Sequence, residues 1–319
     1  FSGVIDTIGA EETSKHFTGA PLKQSFTVSS TGIRSEAIDF QEVYKMDFPD
    51  MIRLRQNFDR TMVTDIPGAV QTELKKLVLE QRVRPGQRIA LTGGSRGVAN
   101  IALILKSAVD YLKSIGARPF IFPAMGSHGG ATAEGQTAML AHYQVTERFT
   151  GAPVLSSMDT VEISRTQDGV PVFIDKNAFE ADGIIVVNRI KPHTKFKAPI
   201  ESGLMKMMAI GMGKQKGAEY YHRAAIQYTF PKIIVDAGRE VLKKAHILCG
   251  LGLVENGYDQ TAVITALLPE ELEEREKELL VLAKRMMPRL PFNEIDLLII
   301  DEMGKDISGT GMDTNVIGR

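Results

Sequence analysis

The spacing of apolar residues changes rhythm near Gly86. Before it, residues 1 to about 80 are weakly patterned, and alternating stretches such as Gln24 to Ser30 suit antiparallel edge strands or a hairpin. After it, the chain repeats one unit: a short apolar run, a glycine-rich turn, and an amphipathic helix. Arg88 to Gly93 reads as a buried strand, and Val98, Ile101, Ile104, Leu105, Val109, Leu112 and Ile115 fall on one helical face that Gly116 stops. Pro119 to Ala124 is a second strand, followed by a helix running toward His142. Gly183 to Arg189 is a third, opening onto the long loop Ile190 to Gly203.

Further on, Pro231 to Ala245 and Pro269 to Met287 predict helices, the first with proline at its start and the second with an acidic first turn. The segment between them predicts a strand pair turning at Asn256-Gly257. Ile295 to Asp301 reads as a fresh strand. The pattern therefore predicts an α/β fold: a mostly parallel, Rossmann-like sheet with helices on both faces, occupying residues 1–290. Residues 291–319 are too few for a domain and read as the start of a second α/β domain.

Composition narrows the function. In 319 residues, Lys plus Arg (38) nearly cancel Asp plus Glu (39), so neither nucleic acid nor an anionic membrane is expected as partner. A single cysteine, Cys249, excludes a cysteine zinc cage and fits a reducing compartment, so a cytoplasmic location is expected. No apolar run is long enough to span a membrane, and the start of the chain lacks the blocks of a signal peptide. The oligomeric state is not legible.

In open α/β sheets ligands gather beyond the carboxyl ends of the strands, and here that edge carries the chemistry-bearing residues. Gly94-Ser95-Arg96-Gly97 suits an anion through backbone amides and the Arg96 fork, or is a plain tight turn. His128, flanked by glycines, is placed as a general base or is a turn histidine. Lys191, Lys195 and Lys197 around His193 make a local positive field or a solvated basic loop. Lys206, alone in a methionine-rich apolar stretch, is either a desolvated nucleophile or attachment point, or a lysine with its head in water. His222 has no helical partner histidine and is not singled out by its surroundings. No zinc-type spacing and no G-x-S-x-G elbow occurs.

The order of these segments resembles the nickel-dependent lactate racemase family of hydroxyacid racemases and epimerases. The resemblance rests on Ala124-Met125-Gly126-Ser127-His128-Gly129-Gly130, the stretch from Asn188 to Glu219, and the His222-Arg223 that follows. It implies an isomerase that inverts a hydroxyl-bearing carbon next to a carboxylate by removing and returning a hydride. It also implies nickel and a pyridinium-3-thioamide-5-thiocarboxylic acid mononucleotide, joined covalently to Lys206, with His222 on the metal. His128 and His193 match the acid–base pair, and Arg96, with Ser95 and Gly94, matches the loop beside the cofactor or substrate. Lys191, Lys195 and Lys197 would draw in the substrate carboxylate, and Asp313 and Asn315 match the start of a loop over the substrate. A small hydroxyacid and, transiently, cofactor-assembly proteins are the implied partners.

Three departures bear on substrate: the family's Asp-His-Thr-Arg-Pro is here Gly94-Ser95-Arg96-Gly97, its Gly-Gly-Arg before the lysine is Gly203-Leu204-Met205, and the loop between His193 and Lys206 is longer. They leave lactate itself open among short hydroxyacids, dicarboxylic hydroxyacids and sugar acids. A nicotinamide-dependent oxidoreductase is the rival enzyme, although the G-x-G-x-x-G run is missing. A non-catalytic anion- or nucleotide-binding module is the rival without chemistry.

Overall fold

The computed structural model describes residues 52–304 and 311–318. From Phe58 on, the described residues belong to one compact unit. Its centre is a five-stranded sheet in the order β2-β1-β5-β6-β7, formed by β1 (Arg88–Gly93), β2 (Arg118–Pro123), β5 (Gly183–Arg189), β6 (Ile247–Glu255) and β7 (Thr261–Leu267). The first four run parallel and β7 returns antiparallel from β6, so the sheet is mostly parallel as the sequence pattern predicts. A separate antiparallel pair, β3 (Thr160–Arg165) and β4 (Pro171–Asp175), was not expected.

Strand alternation divides the core into two layers. Ile185 and Val187 of β5 face one cluster with Ile89, Leu91 and Leu251, while Ile184 and Val186 face the other with Ala90 and Phe122. On the first face pack helices α1 (Ile66–Lys76), α2 (Ile101–Ser114) and α3 (Ala133–His142), through residues such as Val70, Leu105 and Leu140. On the second lie α5 (Phe230–Lys244) and α6 (Leu272–Met286), together with the methionine-rich segment and β4. Between these comes α4 (Lys214–Ala224). The core strands read as continuous apolar runs because both faces are covered.

Three expectations are corrected or unplaced. Gln24 to Ser30 lies outside the described residues. Within 1–80, residues Ile66–Lys76 form a helix where edge strands were expected: Ile66, Val70 and Leu74 recur at helical spacing, Pro67 sits in the first turn, and Asp65 accepts from Gly68 N. Ile295 to Asp301 forms no strand; Leu297 and Ile299 are 76% and 79% exposed. An isolated strand has no ladder, and no described neighbour offers one. Thr314–Ile317 forms a short helix, and the described residues after 291 fall in the same unit as the rest. No helix among the described residues is long and apolar enough to cross a membrane.

Candidate active site

Parallel pairing of β2, β1 and β5 brings the loops after three strands side by side, although they are widely separated in sequence. The loop after β1 carries Gly94, Ser95 and Arg96. A Cβ on Gly94 would stand 3.2 Å from Met207 Cε, so glycine here lets the loop lie against the methionine-rich segment. Ser95 Oγ hydrogen-bonds to His128 Nδ1 on the neighbouring loop. Arg96 is exposed, yet its charge is felt at both His128 and Lys206.

His128 follows β2 on a loop folded tightly against α3. At Gly129 the backbone has φ 65°, and a Cβ would come within 2.7 Å of Gln136 N, so only glycine fits. Burial holds the His128 imidazole below its ordinary pKa, and the charges of Arg96 and Lys206 push the same way. The ring is therefore neutral near pH 7 and able to accept a proton. With Nδ1 engaged by Ser95, Nε2 is the nitrogen that remains for proton exchange.

Lys206 ends the single turn Leu204–Lys206, where the backbone passes into a π-helix, Met207–Gly211, closed by Met212 N donating to Met207 O at 2.9 Å. Such π-turns are rare and frequently accompany functional positions. Its sequence neighbours Leu204, Met205 and Met208 are buried, and the lysine itself is half-buried. Burial, aided by the charges of Arg96 and Lys191, lowers its pKa to about 8. The turn is fixed at its base: Asn188 Nδ2 donates to Gly203 O at 2.8 Å, and Met205 N donates to Glu276 Oε2 at 2.8 Å. Glu276 is itself buried, its Oε1 has no hydrogen-bond partner, and burial raises its carboxyl to about 7.

The loop bearing His193 is gripped by the buried Glu201, which accepts from His193 N (2.6 Å) and Ala198 N (3.1 Å) and pairs with Lys284 Nζ (2.6 Å). His193 Nδ1 accepts from Lys195 N at 3.1 Å, so the neutral ring carries its proton on Nε2. The ring stacks on Phe196 with centroids 4.1 Å apart; Phe196 meets Phe230 edge-on at 6.0 Å, and His222 stacks on Phe230 at 5.3 Å. His222 is exposed in the last turn of α4, where the helix dipole favours a cation. It lines an open groove of about 420 Å³ with Ser127, Gln215, Ala218, Glu219 and Arg223. Ser127 thus brings the His128 loop to the rim of that groove.

The positive loop divides in two. Lys191 is half-buried; burial and Arg189 lower its pKa, while Asp313, 3.4 Å from its Nζ, opposes them. Lys195 and Lys197 are exposed. Asp313 accepts from Asn315 N and Nδ2, each at 2.9 Å, and Asn315 Nδ2 donates to His193 O at 3.3 Å, so both lie against the His193 loop. Arg96, His128 and Lys191 are each within electrostatic reach of Lys206, Arg96 is also in reach of His128, and the ladder of aromatic rings joins His193 to His222.

Among the described residues, no three His, Cys, Asp or Glu side chains converge as a metal cage. A metal at this site would take one imidazole, His222, and its remaining donors from a bound group. Sequence reasoning missed Glu201 and Glu276. Each acid precedes or lies within an apolar stretch, but only the fold shows whose amides it accepts.

The chain matches the family model described as the lactate racemase N-terminal domain over residues 49–230. Among solved structures, it is similar to the lactate racemase apoprotein from Thermoanaerobacterium thermosaccharolyticum, with a TM-score of 0.52 and 18% identity. That alignment covers 68% of this chain and 55% of the other, so the chain spans little more than half its length. No curated protein sequence matches significantly.

Proposed function

As the match over residues 49–230 establishes, the chain belongs to the lactate racemase N-terminal domain family, and from that premise we propose that it is the cofactor-bearing part of a 2-hydroxyacid racemase or epimerase. One observation carries the reading: the amine of Lys206 is desolvated to a pKa of about 8 in electrostatic contact with Arg96 and with the proton-accepting His128.

The residues present fit a lysine-linked nickel-pincer nucleotide. Lys206 has an appreciable neutral fraction near pH 8, as an amine that forms a covalent link must. His222 is an accessible imidazole at a helix C-terminus, and a metal there would need its other donors from the nucleotide. Bound, such a group supplies reversible hydride acceptance, which suits a substrate carbon whose hydrogen is not acidic.

The chain's own residues would do the rest. Either enantiomer can enter only if a proton acceptor serves each hydroxyl position, and His128 and His193 stand on different loops. Ser95 fixes the His128 ring, so that Nε2 takes the hydroxyl proton. His193, whose neutral ring carries its proton on Nε2 while Nδ1 accepts the Lys195 amide, would have to release that amide to accept the proton of the opposite enantiomer. Lys191 and Arg96 place positive charge for the carboxylate, and the lowered pKa of Lys191 reports how far that charge is already desolvated. Lys195 and Lys197, being exposed, act at longer range on the approach of the anion.

The reading is tested by co-expressing the chain with pincer-assembly proteins. It expects a mass adduct on the Lys206 peptide, about one nickel per chain lost in His222→Ala, and isotope exchange at the substrate carbon lost in His128→Ala and His193→Ala with nickel retained. An unmodified Lys206 peptide and a nickel content indifferent to His222 would remove it.

A further inference from the structure

Beneath the His128 loop lies a polar network that the proposed chemistry does not use. Lys214, Gln136 and Asp175 are each fully buried. Lys214 Nζ donates to Pro123 O at 2.8 Å and to Gln136 Oε1 at 2.6 Å, and lies 3.5 Å from Asp175 Oδ2. Gln136 Nε2 in turn donates to Gly126 O at 2.9 Å and to His128 O at 3.2 Å.

The order of these bonds is dictated by donor chemistry. An ammonium has only donors, so it must face the oxygen of the Gln136 amide. The amide nitrogen then has to point the other way, and its two hydrogens meet two carbonyls of the His128 loop. Asp175 compensates the buried charge from the end of β4. Two further facts argue that the lysine is held for its side chain. Its backbone has φ 56°, a conformation for which glycine or asparagine is cheaper. Buried ion pairs are, moreover, poor sources of net stability, since apolar replacements of similar volume are often as stable.

We propose that Lys214, acting through Gln136, is a positioning device for His128: it orients the amide that holds the carbonyls on either side of Ser127. This rests on the reading of His128 as proton acceptor only for its kinetic consequence; the position of the loop does not depend on it.

The test uses Gln136→Met, which keeps length and charge while deleting both donors, with Gln136→Asn, too short to span the gap, as the second variant should the first not fold. In the full chain without cofactor, amide hydrogen exchange across 125–131 should quicken at least about tenfold. The His128 titration, read by imidazole nitrogen resonances, should move upward as the ring loses its fixed setting. In loaded enzyme, kcat should fall about a hundredfold with KM within about twofold. Unchanged exchange across 125–131 with an unchanged His128 titration overturns the inference, even if the variant melts earlier, because that pattern describes a purely structural network. Altered loop readouts in a protein that takes up no nickel would uphold this inference while removing the functional one.

Discussion

Replacing Lys206 with methionine should make the protein more stable near neutral pH. The amine has a pKa of about 8 in the folded chain against an ordinary value of 10.5, so folding at pH 7 carries the cost of holding a cation where the folded state disfavours it. Between pH 8 and 10.5 the unfolded chain binds more protons than the folded one, and wild-type stability rises with pH through that window as the folded amine deprotonates first. The gross linkage energy at pH 7 is about 3 kcal/mol from the shift between those pKa values. Because the side chain is only half-buried, solvent screening reduces this to about 2 kcal/mol.

Lys206→Met removes the cation and keeps an unbranched chain of similar length. Urea denaturation of wild type and variant at intervals from pH 6.5 to 10 measures the difference, in which titrations not coupled to Lys206 cancel. The variant should lead by about 2 kcal/mol at pH 7, with the lead shrinking toward zero by pH 10. In the same variant the His128 titration should move upward, since one of the two cations that depress it is gone. A variant no more stable than wild type at pH 7, or a lead that ignores pH, refutes the claim that this amine is held desolvated.

Other outcomes follow from the same site. Glu276, raised to about 7, contributes stability that is present below the unfolded carboxyl value near 4.5 and lost as pH rises through 7. Glu276→Gln should therefore match wild type near pH 4.5 and exceed it by about 2–3 kcal/mol at pH 8 in urea melts; an equal gap at both pH values would contradict this. Glu201→Ala removes the acceptor of two loop amides and the partner of Lys284, so hydrogen exchange at His193 and Ala198 should reflect a local loss of about 2–4 kcal/mol, with Met205 unaffected. Ser95→Ala should lower kcat of the loaded enzyme about tenfold to a hundredfold at unchanged nickel content, by loosening the His128 ring; steady-state kinetics and metal analysis decide it.

Much of this site was legible because strand-and-glycine punctuation is local. The buried runs at Arg88–Gly93 and Gly183–Arg189 are strands with those bounds, and β2 begins one residue before the expected Pro119. Lys206 stood out because a cation inside an apolar run is anomalous on its face. What stayed hidden depends on distant partners. Glu276 is one acid among several in α6, and only packing shows that it alone turns inward onto Met205 N. Gln136 and Lys214 are seventy-eight positions apart, and neither helix pattern marks them. The π-turn after Lys206 leaves no trace in spacing, since its residues are apolar on every side. Ile295 to Asp301 failed for the converse reason: its composition is that of a strand, but pairing is a property of neighbours.

The two groups at the base of the turn act on stability in opposite directions, which has a consequence for the proposed attachment at Lys206. As pH rises, Glu276 withdraws its contribution up to about 7 and Lys206 begins to return its own above about 8, so together they place a minimum of stability between these values. Converting the Lys206 nitrogen to an amide abolishes its charge at every pH, which removes the cost at pH 7 and with it the rising limb toward pH 10. The loaded protein should therefore melt several degrees higher than the unloaded one near pH 7, beyond any gain from new contacts, and the gap should narrow to that gain as pH climbs. That narrowing separates relief of a buried charge from simple ligand stabilisation, which would persist at high pH. A gap between loaded and unloaded protein that stays constant from pH 7 to 10 would mean that attachment relieves no charge at this lysine.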